Sequence, residues 1–331
     1  MDKQVSVAKR AGADLPIPRH IDRRQILIPA AMGGIMGLVL LIGGLTTPNY
    51  LSAENLIAIL QASAITGIAA IGMTFITLSG NFVSLSVSQT AVMAATIFAA
   101  AMQFGWGTAL AFVAVMLACI LVGGLQGSIV ALGLNPIVTT LGAGAAIIGL
   151  TQVITDNKTI QVGTIAADWI GRSMVLGVPS QTWFFVILVV VLSVVLHRTR
   201  FGRETVLIGA NRATARSSGI NVGLTIITTF VLSAMVAGLV GIIVVTKVAQ
   251  AKTTMFDSLG IETIAAVLVG GTSIQGGDGS IIRTAFGAVL ISLVTNLMLL
   301  QDLQFGVRMT ITGLIVVAAV LSFHKLRENI A

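Results

Sequence analysis

The chain has 331 residues, 56% of them hydrophobic and only 9% charged, with a mean hydropathy of +1.00 and a net charge of +7. A soluble domain carries about 25% charged residues, so this composition excludes a soluble fold and points to an all-α, polytopic membrane helix bundle. Glycine is frequent (36 residues) and aromatics scarce (5%), which favours closely packed helices over a barrel, because glycine lets backbones approach in lipid. The positive charge flanks hydrophobic runs, where it orients a chain and meets membrane lipid; it does not indicate nucleic acid. Cys119, the one cysteine, lies in an apolar run with no intrachain partner and reads as a packing residue.

Residues 1–25 form a polar, basic tail with no early apolar core of a cleaved signal peptide. Ile26 to Leu45 then has the ~20 residues that a crossing needs. Further spans are expected over Leu56–Leu78, Phe82–Met102, Leu110–Leu132 and from Asn135-Pro136 to about Ile154. The polar, glycine-broken segment 155–180 is the main external loop, and Thr182–Leu196 is a short sixth span. Leu224–Val245 is the seventh. The stretch Glu262–Gly271 is too short to cross unaided, and reads as a crossing completed by its flanks, with a re-entrant segment near 262–280 as the alternative. Ile281–Leu300 and Met309–Phe323 bring the count to about ten and place both termini on one side, with 324–331 as a closing tail. Gly33-x-x-x-Gly37 and Gly123-x-x-x-Gly127 have the spacing of close helix contacts, explained first by packing within the chain.

The largest internal polar surface is Arg198 to Asn221, with Arg198, Arg200, Arg203, Arg212 and Arg216 against the single acid Glu204. Its centre reads as a short helix, with Asn211 as N-cap and Gly219 just past the end. On charge alone it is either a topology signal or a docking surface. Both tails, this loop and Arg283 together hold fourteen of the nineteen Lys and Arg, which places them on the cytoplasmic face.

No G-x-x-x-x-G-K-[ST] occurs, so the chain has no P-loop. His20, His197 and His324 flank spans without metal-ligand spacing, so neither a metal site nor an enzyme is expected. The spans are almost free of charge, with only Glu262 and Asp278 as candidate acids, whereas ion-coupled transporters commonly hold such groups near the midplane. Energy is therefore expected from a partner subunit.

Three stretches carry a family resemblance: the loop R-T-R-F-G-R-E-T-V-L-I-G-A-N-R-A-T-A-R-S-S-G-I-N, the run from Asn135 to Gly142, and the run from Ala265 to Ser280. Together they resemble the membrane permease subunits of bacterial sugar ABC importers of the ribose, xylose and autoinducer-2 type, a branched-chain-permease-like family. The match covers nearly the whole chain from Asn55 onward. The resemblance implies that the helix from about Asn211 to Ser218 is a coupling helix seated in an ATP-binding cassette subunit, with Arg203, Gly209, Asn211, Ala213, Ala215 and Gly219 as the coupling residues. It further implies a second permease (homo- or heterodimer), a periplasmic sugar-binding protein, an inner-membrane location, and ATP and Mg used by the partner rather than bound by this chain. One departure is Ser79 to Gln89, where Ser84 or Val83 stands near the position of an acid usual in the family; another is Arg283, where the family usually has a small or apolar residue.

Candidate pathway groups are the polar side chains within spans, Gln61, Asn81, Gln89, Thr139, Thr140, Gln152 and Asn296, each of which has helix-to-helix hydrogen bonding as its bland explanation. Gly270, Gly271, Gly276 and Gly277 mark either a flexible connection or a gating or interface turn where backbones meet. The function expected is a permease subunit for import of a monosaccharide or similar small polar solute. The alternatives are a self-contained secondary transporter or channel, and a non-transporting partner in a heterodimeric permease.

Overall fold

The computed structural model describes residues 23–162 and 168–328. Its elements in chain order are α1 (Arg23–Thr46), α2 (Ala53–Leu78), α3 (Val87–Gln103), α4 (Thr108–Ala131), α5 (Pro136–Thr155), β1 (Ile160–Gln161), α6 (Asp168–Gly171), β2 (Met174–Val175), β3 (Val178–Pro179), α7 (Ser180–Arg198), α8 (Arg200–Ala210), α9 (Arg212–Ser217), α10 (Val222–Val248), β4 (Gln250–Ala251), α11 (Leu259–Val269), α12 (Ile281–Leu300) and α13 (Phe305–Glu328). Six helices, α2, α4, α5, α7, α10 and α12, are long and apolar enough to cross a bilayer; shorter apolar stretches lie in α1, α3, α11 and α13. The chain is a multi-pass membrane helix bundle, as the composition requires.

Several helices start where the sequence supplies a cap. Ser52 accepts from Asn55 N, Asn135 accepts from Ile137 N with Pro136 following, and Asn221 accepts from Leu224 N, so otherwise orphaned amides find a partner. The centre is built on α2 and α10, whose most apolar windows are 61% and 67% buried, against 28% for α4, α5 and α7. α4 lies along α10 through glycine: a Cβ on Gly123 would sit 2.7 Å from Val231 Cα, and one on Gly127 2.7 Å from Ile227 Cα. This second G-x-x-x-G therefore packs within the chain. At Gly33 and Gly37 on α1 an added Cβ meets no described residue within 4 Å.

One end of the bundle gathers the ends of α2 and α4, the start of α10, and α8 and α9, through buried contacts of Ile76, Val130, Ile208, Ala215, Val222 and Ile226. At the opposite end β1 pairs antiparallel with β4, Gln301 Nε2 donates to Thr47 Oγ1 at 3.3 Å, and Arg172 Nε donates to Lys247 O at 3.0 Å.

One expected boundary needs correction, and four segments gain detail. The basic tail of 1–25 lies outside the described residues as far as residue 22, and from Arg23 the chain is already helical. The third helix starts at Val87 rather than Phe82, because Gly80 (φ 73°) and Phe82 (φ 61°) take left-handed backbone that cannot continue a right-handed helix. The loop of 198–221 contains a full helix, α8. Its Phe201 stacks on Phe75 with ring centroids 5.8 Å apart, and its Thr205 and Ile208 are buried on the same face. In the closing segment the helix α13 runs on to Glu328. The segment 155–180 is not simply loop, for it holds β1 to β3 and α6, with 163–167 outside the described residues.

The weak segment near 262 is an 11-residue helix, about 16 Å long at 1.5 Å per residue and so roughly half a bilayer core. It connects β4 at one end of the bundle to the glycine turn at the other. That is a crossing finished by non-helical flanks, not a hairpin.

Candidate coupling and translocation site

The arginine-loop end is organised by α9. Asn211 caps it, its side chain accepting from Thr214 N, and Gly219 (φ 79°) follows its last turn, the two roles expected of them. Ala213, Thr214, Arg216 and Ser217 face outward; Arg203 on α8 is exposed as well. Ala215, a proposed coupling residue, does not face outward: it is 3% exposed and packs beneath α9 on Ile76 and Ile208.

Gly209 is likewise an internal residue. A Cβ there would run into Leu78 O and lie 2.5 Å from Gly277 N, while Gly277 N donates to Leu78 O at 2.9 Å. Gly276, at φ 89°, presses on Gly80 so closely that a Cβ would be 2.6 Å from Gly80 Cα. Gly270 packs in the same way on Thr284 Cα (2.7 Å), and Gly271 turns the chain at φ 75°. The glycine turn is thus a place where backbone meets backbone, joining the end of α2, the end of α8 and the α11–α12 connection inside one chain. Arg283 closes it with an ion pair to Asp278 at 3.2 Å, which accounts for an arginine at that position.

Arg212, first residue of α9, reaches back across this joint. Its Nη2 donates to Asn81 Oδ1 and to Gly80 O, the latter at 3.4 Å. Burial, and then the neighbouring Arg216, hold the Arg212 guanidinium below its usual range. Asn81 is fully buried and its Nδ2 donates to Ser79 Oγ at 2.8 Å, so its amide is engaged on both sides.

From Asn81 an unwound segment, 79–86, enters the bundle. Ser84 Oγ lies 3.1 Å from Ser86 Oγ, Ser86 Oγ donates to Gln126 Oε1 at 2.9 Å, and Leu85 N donates to Thr140 Oγ1 at 3.1 Å. Ser84, near the position of the missing acid, is 3% exposed and points into this cluster. Gln126 and the two serines border a cavity of about 10 Å³, room for about one water molecule, and no described residue meets Gln126 Nε2. Gln126 was not singled out beforehand. Its signal was available, as the one amide in the apolar run of α4.

The other pathway candidates are dispersed. Gln61 accepts from Lys247 Nζ at 2.5 Å toward the opposite end; Asn296 pairs reciprocally with Asn55, both bonds 3.0 Å. Gln89 accepts from Ser88 Oγ at 3.3 Å and would touch a Cβ placed on Gly144. Thr140 is fully buried, Thr139 half-buried with its hydroxyl unpartnered, and Gln152 exposed on the outer face of α5. Asn81 is not within a span at all, but at the break after α2. Glu262 sits in the first turn of α11 and accepts from Thr66 Oγ1 at 3.1 Å. A surface hollow of about 410 Å³ is lined by residues 44–52 and holds none of these side chains. Among the described residues no group of three His, Cys, Asp or Glu could hold a metal.

A bundle of apolar helices with a half-length helix, α11, inside it and a capped, exposed helix at one end fits a multi-pass membrane transport subunit. The chain belongs to the family described as the permease component of the branched-chain amino acid transport system, which it matches over residues 55–323. It is similar to the ribose import permease protein RbsC of Haemophilus influenzae, 33% identical over 298 residues that cover 88% of this chain and 92% of the relative. RbsC of Escherichia coli K12 is 32% identical over 312 residues (93% and 97%), and the L-arabinose transport system permease protein AraH of that strain is 29% identical over 285 residues (85% and 86%). No solved structure matches the chain. As a member of a permease family, the chain is a transport component and not an enzyme.

Proposed function

We propose that this chain forms the translocation pathway of an ATP-driven importer for a monosaccharide or a similar small polar solute, in a bacterial inner membrane. The observation that carries this reading is α9: a short helix, capped by Asn211, that presents Ala213, Thr214 and Ser217 to a partner while Ala215 anchors it to the bundle. The similarity to ribose and L-arabinose permeases supports the solute class. The fourteen-to-five distribution of Lys and Arg supports a cytoplasmic α9.

In the assembled importer two permeases pair, and two ATP-binding cassette subunits meet the α9 helices. A periplasmic sugar-binding protein delivers solute to the opposite end. Binding of ATP with Mg by the cassettes closes them, α9 carries that movement into the bundle, and hydrolysis resets it. The chain itself supplies hydroxyl and amide groups that bind solute weakly, since affinity rests with the binding protein.

The test is uptake of D-ribose and L-arabinose by proteoliposomes holding this chain and supplied with a candidate sugar-binding protein, with and without candidate cassette subunits and ATP. Uptake only with the cassettes supports the proposal; uptake by the lone chain under an ion gradient refutes it. At the residue level, Ala213→Arg is expected to abolish co-purification of the cassette while membrane insertion stays normal. Normal co-purification would remove α9 as the docking helix.

A further inference from the structure

The segment 79–86 combines three features that rarely coincide. It interrupts the helical path between two apolar helices, it contains a strained residue, and it is fastened at both ends. Phe82 has φ 61° and a side chain 38% exposed. A bulky residue in the left-handed region is an outlier, and such strain persists only where the surroundings enforce it. On one side of Phe82 the enforcing contact is Arg212 to Asn81 and Gly80. On the other it is Leu85 N on Thr140 Oγ1, with Ser86 Oγ on Gln126 Oε1.

These two fastenings lead to different parts of the molecule. Arg212 is the first residue of α9, so it moves with whatever holds that helix. Thr140 and Gln126 belong to α5 and α4, outer helices only 28% buried over their apolar windows. Asn81 is fully buried beneath the exposed Arg212, so releasing the guanidinium takes a charged donor from its amide oxygen. Arg suits this position because its guanidinium is always charged and one of its nitrogens, Nη2, reaches the side-chain oxygen and the neighbouring carbonyl together.

We propose that Arg212 and Asn81 are positioning residues that form a latch, transmitting displacement of α9 to the strained segment 79–86 and from there to α4 and α5. The latch rests on the docking role of α9 proposed above. It adds the residues through which docking is felt inside the bundle. When the latch is closed, Phe82 is held left-handed; when α9 is displaced, Asn81 loses its partner and the segment relaxes.

Hydrogen–deuterium exchange of peptides covering 79–86 tests this, on the full chain in nanodiscs, alone and with a co-purified cassette ATPase plus a non-hydrolysable ATP analogue. In the wild type, exchange of 79–86 is expected to change when the nucleotide is added. In Arg212→Ala and Asn81→Ala, exchange of these amides should be about tenfold faster already without the cassette, and the nucleotide should have no further effect. Asn81→Asp keeps an acceptor oxygen for the guanidinium and should restore the nucleotide response. Residues 222–248 of α10 should stay protected in every variant, which separates an opened latch from general unfolding. A nucleotide response that survives in Arg212→Ala, with the cassette still bound, overturns the latch alone. Loss of cassette binding in Arg212→Ala also overturns it, since the arginine would then belong to the docking surface. Failure of the wild-type chain to bind any cassette ATPase removes the docking reading and the latch together.

Discussion

Gly209 separates an internal joint from a docking surface, and the smallest substitution is the most informative. In Gly209→Ala the new methyl would run into Leu78 O and lie 2.5 Å from Gly277 N, two atoms already bonded to each other at 2.9 Å. The methyl can be housed only by parting them. A backbone group left unpaired costs about 1–3 kcal/mol, and forcing apart a packed contact costs about 1–3 kcal/mol. Replacing glycine within α8 returns about 1 kcal/mol of helix propensity. The net loss is about 1–5 kcal/mol, or roughly 2–10 °C in Tm for a large domain. Cys119 is fully buried, so a fluorogenic maleimide follows unfolding in detergent without any added label. Gly33→Ala is the control, since no described residue lies within 4 Å of a Cβ there. If Gly209→Ala melts at or above wild type while Gly33→Ala does the same, the joint is not close-packed and the reasoning fails.

The two G-x-x-x-G pairs give a second contrast: Gly123→Leu should prevent α4 from seating on α10 and lower the yield of folded protein in detergent, whereas Gly33→Leu should be tolerated. Size-exclusion profiles of the two variants check this, and equal behaviour would contradict the packing assigned to Gly123. Asn296→Leu removes both bonds to Asn55, which keeps a further bond from its Nδ2 to Tyr50 O at 2.7 Å. Polar pairs between membrane helices average about 0.6 kcal/mol, so a double-mutant cycle with Asn55→Leu should return a coupling of about 0.5–1.5 kcal/mol. A value near zero would show that each amide finds another partner.

The long spans were legible because about twenty consecutive apolar residues have few other solutions, and the caps at Asn135, Asn211 and Asn221 were legible because capping is local chemistry. α8 was not. The string R-T-R-F-G-R-E-T shows glycine and three arginines, and it folds as a helix because Phe201 and Ile208 dock on Phe75 and Ile76, far away in sequence. For the same reason the small residues of the loop could not be sorted. Ala213 and Ala215 are identical in sequence, yet one faces outward and the other is buried, a difference set by the packing of α9 on the bundle. The break at Ser79-Gly80-Asn81 carried a turn signal, but not its destination. In sequence Asn81 reads as a residue within a span, because nothing local reveals that an arginine 131 positions later meets it.

The location of the joint explains why a helix as short as α9 can matter to the whole bundle. A six-residue helix has little stiffness of its own, and by itself would absorb a push from a partner by local bending. Here its first residue is bonded to a buried amide, and the preceding turn is wedged backbone-to-backbone between Leu78 and Gly277. Close-packed backbone has no rotamers to yield with, so displacement there passes on undiminished. It passes at once to the end of α2, the helix at the centre of the fold, and to the turn that closes α11. The outer helices α4 and α5 are only 28% buried over their apolar windows, although α4 is closely packed along α10 on its glycine face. The unwound, strained stretch 79–86 runs from the end of α2 to hydrogen bonds with α4 and α5. Under the latch proposed above, displacement of α9 would be felt there as a change of contact with Gln126 and Thr140.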